Sequence, residues 1–450
     1  MILKGSGCIG CPLHTRGAMM VPDEMIEGAK VCIVGQNPGA EEEAQGKPFI
    51  GQTGKLLMGT YMPIAGLERG KVSLANVIRC RVDGSNELPA LKTKDRLAEQ
   101  AIEHCQRAYF RPPESTRLIV VQGNYALYGL TGELRSTAWR GWLLPQGRVQ
   151  ARLPRIYMPG KEPPVLSTIH LAALFHNPEM SLPTKLDWAK VPRILNSYWP
   201  KHIPTVQTRM PRSLPSIFSF DTEYTYPGEK RLLRISIATM EGDVYVVEAP
   251  NVRPIRLDGP TTIVAHNWPA DYEFAKQIFT PWSGVTTDDT MYMNSVLWPG
   301  VGREKADNNP RGPGLGQGLD FLGSMHARIN RWKHLVELNE KIYSAGDAVA
   351  TIDVYQAHMR QYDDDPQSWN IYTQYVRPLV QVIARSQAVG MRVNRPRLDA
   401  LVRELTGGVR EASAEAQAAV GWPINLGSYP QVSQQLYRLE GLQTPKGRKR

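Results

Sequence analysis

Short unbroken apolar runs alternate with amphipathic stretches over the first 200 residues. Val31 to Val34 runs into Gly35, and Leu118 to Val121 is closed by Gly123. Runs of this length that stop at a glycine predict buried strands of a parallel sheet. Helical patterning lies between them, as from Arg96 to Tyr109. The alternation predicts an α/β domain over 1–200, with ligands at the carboxyl ends of its strands. Pro204, Pro211 and Pro215 then stand among polar and basic residues and predict a linker over 201–215. Ile217 to Phe220 opens a second set of strands. Leu232 to Ala238, a turn at Glu241–Asp243, and Val244 to Val247 predict a hairpin within it. Residues 301–318, rich in Gly, Pro and Asn, predict a loop.

From about 366 the period becomes helical. Val376, Leu379, Val380 and Ile383 share one face, with Gly390 as the C-cap; Leu398, Leu401, Val402 and Leu405 repeat the spacing, closed by Gly407. The organisation predicted is therefore 1–200, linker 201–215, 216–358, and a helical region 359–450. The tail, Pro445 to Arg450, is a short basic run.

Composition narrows the class. The chain has 450 residues, 42% of them apolar, which is enough for two or three domains and excludes global disorder. Lys plus Arg exceed Asp plus Glu, 53 to 43, for a net charge of +10. That surplus suits a polyanionic partner, nucleic acid above all, and suits a merely soluble basic protein as well. No apolar run reaches the roughly 20 residues of a membrane span, and the N-terminus lacks a signal-peptide core. A cytoplasmic protein is expected. All five cysteines fall within the first 105 residues. In a reducing compartment such clustering favours metal or catalysis over disulfides.

Three elements in the second half carry candidate chemistry. Asp221-Thr222-Glu223 ends a strand, and residues two apart on a strand face the same way. Hard divalent ions want such paired oxygen ligands. Asn267-Trp268-Pro269-Ala270-Asp271 reads as a helix start, with Asn267 as N-cap, Pro269 in the first turn and Asp271 about one turn in. Tyr343 and Asp347, four apart, share a helix face beside apolar Ala348, Val349 and Ile352. Each alone reads equally as a solvated strand end, a surface acid, or an Asp paired to a nearby cation.

Together, in this order, they resemble the DEDD exonuclease superfamily in the form fused to family A DNA polymerases. Asp289-Thr290-Met291 resembles a further stretch of that family, and Tyr343 in place of His resembles its Tyr-type branch. The resemblance covers roughly 216–358. It implies an RNase H-like fold and two Mg²⁺ or Mn²⁺ ions that Asp221 bridges. Glu223 and Asp347 complete the shell of the first ion, Asp271 acts through the second, and Tyr343 orients the attacking water. Asn267 is counted with the substrate-facing residues. The product would be a deoxynucleoside 5′-monophosphate.

In the first domain Gly35-Gln36-Asn37-Pro38-Gly39 follows a strand directly, as many phosphate loops and many plain βα turns do. Phe49, the Asn76-Val77-Ile78-Arg79-Cys80 stretch, Ser167 to Ala172, and Cys8, Cys11, Cys80 and Cys105 appear with it. These resemble the family 4 uracil-DNA glycosylases over most of 1–195. Four thiolates suit Zn or an iron–sulfur cluster, and spacing does not decide. The resemblance implies a [4Fe–4S] cluster on those four residues, with Cys32 a packed core thiol. It also implies that Phe49 stacks on a flipped uracil, Asn76 pairs with its edge, His170 stabilises charge on O2, and the Gln36–Asn37 loop positions water. Two departures stand out. Gln36 replaces the usual Glu, and a neutral amide cannot act as a base, although Gln36-Asn37 also resembles loops of other glycosylase families in which an Asn orients water. His170-Leu171-Ala172 replaces His-Pro-Ser or His-Pro-Ala.

Tyr375 to Arg397, and Ile424-Asn425-Leu426-Gly427-Ser428 through Leu436, resemble the start of a family A polymerase thumb. No later carboxylate pair is present for nucleotidyl transfer, so polymerisation is not expected of this chain alone. The expected partners are a primer 3′ end and a uracil-containing strand, with a separate palm-bearing polymerase chain as a further partner. The module order resembles a bacteriophage replication protein acting in a bacterial host. Two functional readings stay open: exonuclease plus active glycosylase, or exonuclease plus a non-catalytic uracil sensor serving a separate polymerase.

Overall fold

The structure is a computed structural model that describes residues 2–442 apart from 4–5, 17–18, 83–85, 145, 147–161, 197–202, 226–229 and 300–316. The loop expected at 301–318 lies almost wholly outside the described residues. So do the first two residues of the 201–215 segment and the basic run Pro445 to Arg450.

The first apolar run forms β1 (Val31–Gly35), every residue of it buried. It pairs in parallel with β2 (Ser73–Asn76) and β3 (Leu118–Gln122). The described residues add β4 (Leu143–Leu144) and β5 (Val165–Thr168), giving the order β2-β1-β3-β5-β4 with only β4 antiparallel. Both faces are covered, which is why these strands read as unbroken apolar runs rather than alternations. Cys32, Val34, Ile119 and Val121 enter one core; Val31, Ile33, Leu118 and Val120 enter the other. Strand pleating then has a consequence at the carboxyl edge. Gly35, Asn76 and Gln122, the last residues of three adjacent strands, all face the second of these cores. The expected helix is α1 (Leu97–Tyr109).

The second sheet is mixed. Its described strands are β6 (Val206–Gln207), β7 (Ile217–Tyr224), β8 (Leu232–Thr239), β9 (Val244–Glu248), β10 (Thr261–Ala265) and β11 (Val285–Asp289), in the order β11-β10-β7-β8-β9-β6. The expected hairpin is present as β8 and β9. Part of the proline-containing segment 201–215 joins the sheet edge as β6, parallel to β9. Phe218, Phe220, Ile235 and Ile237 fill one face of the sheet. The other face is covered by a long helix from Glu340 to Asp364, whose Ala345, Ala348 and Ile352 are buried. Shorter helices α2 (Tyr272–Ile278), α3 (Thr290–Leu297) and α4 (Leu319–His326) precede that helix, which is α5. The architecture is thus α/β, with a mixed-sheet second domain and a helical C-terminal region.

The helices divide the chain into two compact units, Met1–Ala388 and Val389–Arg450. The helix α6 (Arg377–Val389) ends as expected at Gly390, at φ +68°. The next helix, α7 (Arg395–Val420), corrects the sequence reading: it runs through Gly407 and ends at Gly421, at φ +76°. A mid-helix glycine costs only about 1 kcal/mol, and the alanines and glutamates from 411 to 419 outweigh it. Among the described residues, no helix is long and apolar enough to cross a membrane.

Candidate functional site

Pleating of β7 sorts its side chains. Phe218 and Phe220 point into the core, while Ser219, Asp221 and Glu223 face α5. Ser219 fixes the approach of that helix: its Oγ donates to the Ala348 carbonyl at 2.7 Å. The neighbouring residue, Asp347, is thereby brought to the strand. Ligand oxygens of Asp221, Glu223 and Asp347 lie within 4.8 Å of one another. Ser236, paired across from Asp221, donates to its Oδ2 at 3.3 Å.

Asp271 is fully buried and stands on the turn after β10. One of its oxygens accepts from the Thr222 amide at 3.0 Å and the Thr222 hydroxyl at 2.5 Å. It sits close enough to Asp221 and Glu223 for mutual repulsion, but outside the three-residue cluster. Its turn, the 3₁₀ segment Trp268–Ala270, starts at Asn267 and contains Pro269 as the sequence suggested, but it is capped differently. Asn267 is exposed, adopts φ +71°, and makes no side-chain cap. Asn is one of the residues that tolerates this backbone. Capping falls to Asp289, whose carboxylate accepts from the amides of Asn267 at 3.1 Å, Trp268 at 2.7 Å and Met291 at 2.9 Å. Asp271 closes that turn, one turn on from Asn267, and is also the N-cap of α2.

Charge at this site is strongly coupled. Burial, then the neighbouring Asp347, Asp271 and Glu223, hold the Asp221 carboxyl well above its usual range. Burial and Asp347 likewise raise Glu223. Burial pushes Asp271 up to about 7 against the pull of its Thr222 hydrogen bonds. Two cations among the described residues act on the group: Arg234, paired across from Glu223, offsets part of the Glu223 rise, and Lys333 faces Asp347. The Lys333 Nζ contacts Asp347 Oδ1 and donates to the Tyr343 hydroxyl at 3.1 Å. Burial pulls the Lys333 ammonium down, but Asp347 and Tyr343 more than offset it and keep it charged. Burial and Asp347 push Tyr343 up to about 12. Clustered hard oxygens with raised pKa values are a set that a divalent ion would stabilise in ionised form. Lys333 was not legible as a part of this site, and the Asp289 stretch stood out only by its resemblance, without its capping role. A lysine ten residues before Tyr343 carries no spacing signal.

In the first domain, Gly35, Phe49 and Asn76 come together. A Cβ on Gly35 would lie 2.6 Å from Asn76 Oδ1 and 2.8 Å from Phe49 Cζ. Phe49 holds φ +54°, an unfavourable backbone for an aromatic residue. Two side chains clamp it there. Arg69, paired with Glu24 at 2.7 Å, donates to the carbonyls of Phe49 at 3.0 Å and Pro48 at 2.6 Å. Glu42 accepts from the amides of Gly39 at 2.6 Å and Ile50 at 3.2 Å, tying the glycine loop to the Phe49 segment. Gln36 is half-buried, and the Asn37 amide turns back onto the Pro38 carbonyl at 3.3 Å. His170 follows β5; its Nδ1 accepts from the Ala172 amide at 3.3 Å, and burial lowers its pKa, so the ring is neutral. Gln122 also lies on this edge. It is fully buried, and neither end of its amide has a hydrogen-bond partner among the described residues.

Cys8, Cys11, Cys80 and Cys105 line one pocket, together with Arg79 and Tyr109. All four are free thiols. Arg79, buried and paired with Asp23, donates to Cys105 Sγ at 3.5 Å, and the Tyr109 hydroxyl lies 3.1 Å from Cys8 Sγ. Cys32 is buried in the sheet and its thiol is pushed up by burial, in keeping with a packed core residue.

The first domain is similar to known proteins over most of its length. Residues 22–195 match the uracil DNA glycosylase superfamily. The type-4 uracil-DNA glycosylase of Archaeoglobus fulgidus is 29% identical over 188 residues, 41% of this chain and 86% of that protein. That of Saccharolobus solfataricus is 28% identical over 192 residues, 42% of this chain and 82% of that protein. Over a shorter stretch of 74 residues, 16% of this chain and 37% of that protein, the Pyrobaculum aerophilum enzyme is 42% identical. Two solved structures are also similar. The POL domain of Pol1 from M. smegmatis, in complex with DNA primer-template and dNTP, gives a TM-score of 0.37 at 20% identity, covering 53% of this chain and 40% of that one. Brucella melitensis NrnC bound to pGG gives 0.30 at 14%, covering 41% and 91%. At those scores neither bears on function.

Proposed function

We propose that this chain is a DNA-processing enzyme in which a metal-dependent 3′→5′ exonuclease, over 216–358, is joined to a uracil-recognising domain over 1–200. The observation that carries the exonuclease is the meeting of Asp221, Glu223 and Asp347 from a strand and a distant helix. Bound Mg²⁺ or Mn²⁺ would lower the pKa of water and stabilise charge on the departing oxygen. Asp221, Glu223 and Asp347 would hold the ions, and Asp271 would add its oxygen not engaged by Thr222. Tyr343, kept protonated, offers its hydroxyl to the attacking water. Hydrolysis breaks the terminal P–O3′ bond; water supplies the hydroxyl to the phosphate and a proton to the 3′ oxygen, releasing a nucleoside 5′-monophosphate. Asp221→Ala should abolish Mg²⁺-dependent mononucleotide release while leaving the fold intact. Retained release would overturn this reading.

In the first domain Phe49 stacks on a flipped uracil and Asn76 reads its edge. The thiols of Cys8, Cys11, Cys80 and Cys105 suit a [4Fe–4S] cluster. A brown protein absorbing near 400 nm is expected, and a colourless protein with stoichiometric Zn would overturn the cluster. The helical region 359–450 is read as a polymerase thumb start that places a primer end. A second reading, uracil binding without excision, is favoured by Gln36, which is neutral, and by Asn37, whose amide is turned onto Pro38. Incubation with a uracil-containing oligonucleotide followed by alkali separates the two. Strand breaks with the wild type support excision. No breaks with the wild type, and breaks with Gln36→Glu, support the sensor.

A further inference from the structure

The segment from Asn330 to His334 connects α4 to α5 and touches both domains of the first unit. On one side Trp332, fully buried, donates its indole N–H to Asp347 Oδ1 at 2.8 Å, and Lys333 reaches Asp347 and Tyr343. On the other side the same residues rest on the uracil-glycosylase-like domain. The Trp332 ring meets Trp142 edge-on at 5.9 Å. The Asn330 amide donates to the Leu143 carbonyl at 3.0 Å. His334 packs on Trp139 at 5.6 Å, and the Arg331 guanidinium stands 4.6 Å over the same indole.

Two glycines show how closely Trp332 is fitted. A Cβ on Gly346 would lie 2.4 Å from Trp332 Cγ, and one on Gly323 would lie 2.7 Å from the far edge of the ring. The indole therefore has one seat, bounded by α4, α5 and Trp142. The hydrogen bond to Asp347 depends on that seat, because an N–H···O contact loses strength steeply with misalignment.

We propose that Trp332 is a positioning residue of the exonuclease site and that the uracil-glycosylase-like domain supplies its seat. The acidic site is then fully formed only while that domain is docked. This rests on the metal-binding reading above. Asp347 has one oxygen fixed by the indole, which turns its carboxylate toward Asp221 and Glu223. Groups that orient a metal ligand in this way commonly contribute about tenfold or more to metal affinity.

Mn²⁺ binding to the full-length chain, followed by EPR of the free ion, tests the proposal without reference to turnover. Trp332→Phe keeps most of the ring and removes the N–H; affinity should fall by about tenfold. Trp142→Ala touches no carboxylate, yet affinity should fall comparably, and Trp142→Phe should recover most of it. Asn330→Ala, a milder change on the same seat, serves if Trp142→Ala does not fold, and should weaken binding several-fold. Wild-type affinity in Trp142→Ala, or in its Asn330→Ala substitute, would overturn the seat. Wild-type affinity in Trp332→Phe would overturn the positioning role. A wild type that binds no Mn²⁺, or binds it unchanged after Asp221→Ala, would instead sink the metal reading itself.

Discussion

The two candidate sites are held open by opposite means. At the carboxyl edge of the first sheet the constraint is steric: Gly35 leaves a gap that Asn76 and Phe49 close around, and clamps on backbone carbonyls and amides keep Phe49 at positive φ. The amides that face the gap are uncharged, and Gln122 has no hydrogen-bond partner among the described residues. On the second sheet the constraint is electrostatic. Acids are gathered against their repulsion and held by Lys333, Trp332, Thr222 and Ser236. A site that reads a neutral base needs shape and unsatisfied amides. One that gathers cations needs repulsion that the cation relieves.

If charge holds the second site together, removing its counter-ion should give the largest effect. Lys333→Met leaves Asp347, almost fully buried, without its cation. Breaking one side of such a pair costs about 3 kcal/mol or more. Urea denaturation in EDTA should show a much lower midpoint, and saturating Mn²⁺ should restore most of it. An unchanged midpoint in EDTA would mean that Lys333 is not what balances the acids. The steric site should break differently. Gly35→Ala places a methyl in contact with Asn76 and Phe49, and overpacking of this kind costs roughly 1–3 kcal/mol. Preference for a uracil-containing over a thymine-containing oligonucleotide, read by fluorescence anisotropy in EDTA, should disappear, while Mn²⁺ affinity should stay. Preserved preference would show that the gap at Gly35 is not part of base recognition.

The same contrast explains what was legible in the sequence. Strands β1 and β3 announced themselves as apolar runs because both faces of that sheet are covered. Asp221, Glu223, Asp271 and Asp347 could be picked out because their chemistry fixes residue type and order. Their supports could not. Lys333 and Trp332 act through contacts made across the fold, and no local period marks a lysine that will meet an aspartate fourteen residues on; the Asp289 stretch stood out only by resemblance, without its capping role. The side-chain cap expected of Asn267 is missing for the same reason, although Asn267 does occupy the cap position. A long-range carboxylate, Asp289, takes over the amides a local cap would bind. Gly407 misled because a glycine ends a helix only where the residues beyond it cannot continue one.

A smaller effect should appear in pH. Burial puts the Asp271 carboxyl at about 7 in the metal-free fold, against roughly 3.9 when unfolded. The folded state therefore keeps a proton that the unfolded state releases, and metal-free stability falls as pH rises from about 4 to about 7. A divalent ion binds only the ionised carboxylates and reverses this. The rise in Tm produced by saturating Mg²⁺ should therefore grow between pH 5 and pH 7.5. Buried His266, held down at about 3 by burial, pulls the other way in both states of the metal and cancels from the difference. A constant Mg²⁺ increment across that range would rule out Asp271 as a group whose ionisation the ion drives.

The smallest effect expected is a gain. Gln122 closes β3 with an amide that is fully buried and unpartnered at both ends, on the core face it shares with Gly35 and Asn76. An orphaned buried polar group costs about 1–3 kcal/mol, so removing it at constant shape should help. Met has nearly the same length and suits apolar surroundings. Gln122→Met should raise Tm by a few degrees in the free protein, corresponding to about 1 kcal/mol. Were the amide instead satisfied in solution, the same change would lower Tm. The sign of one thermal shift thus decides whether the carboxyl edge carries an unmet hydrogen-bonding demand or only the appearance of one. Gly35→Ala probes shape alone at the same edge, so the two changes divide steric from polar contributions there as Lys333→Met isolates charge on the other sheet.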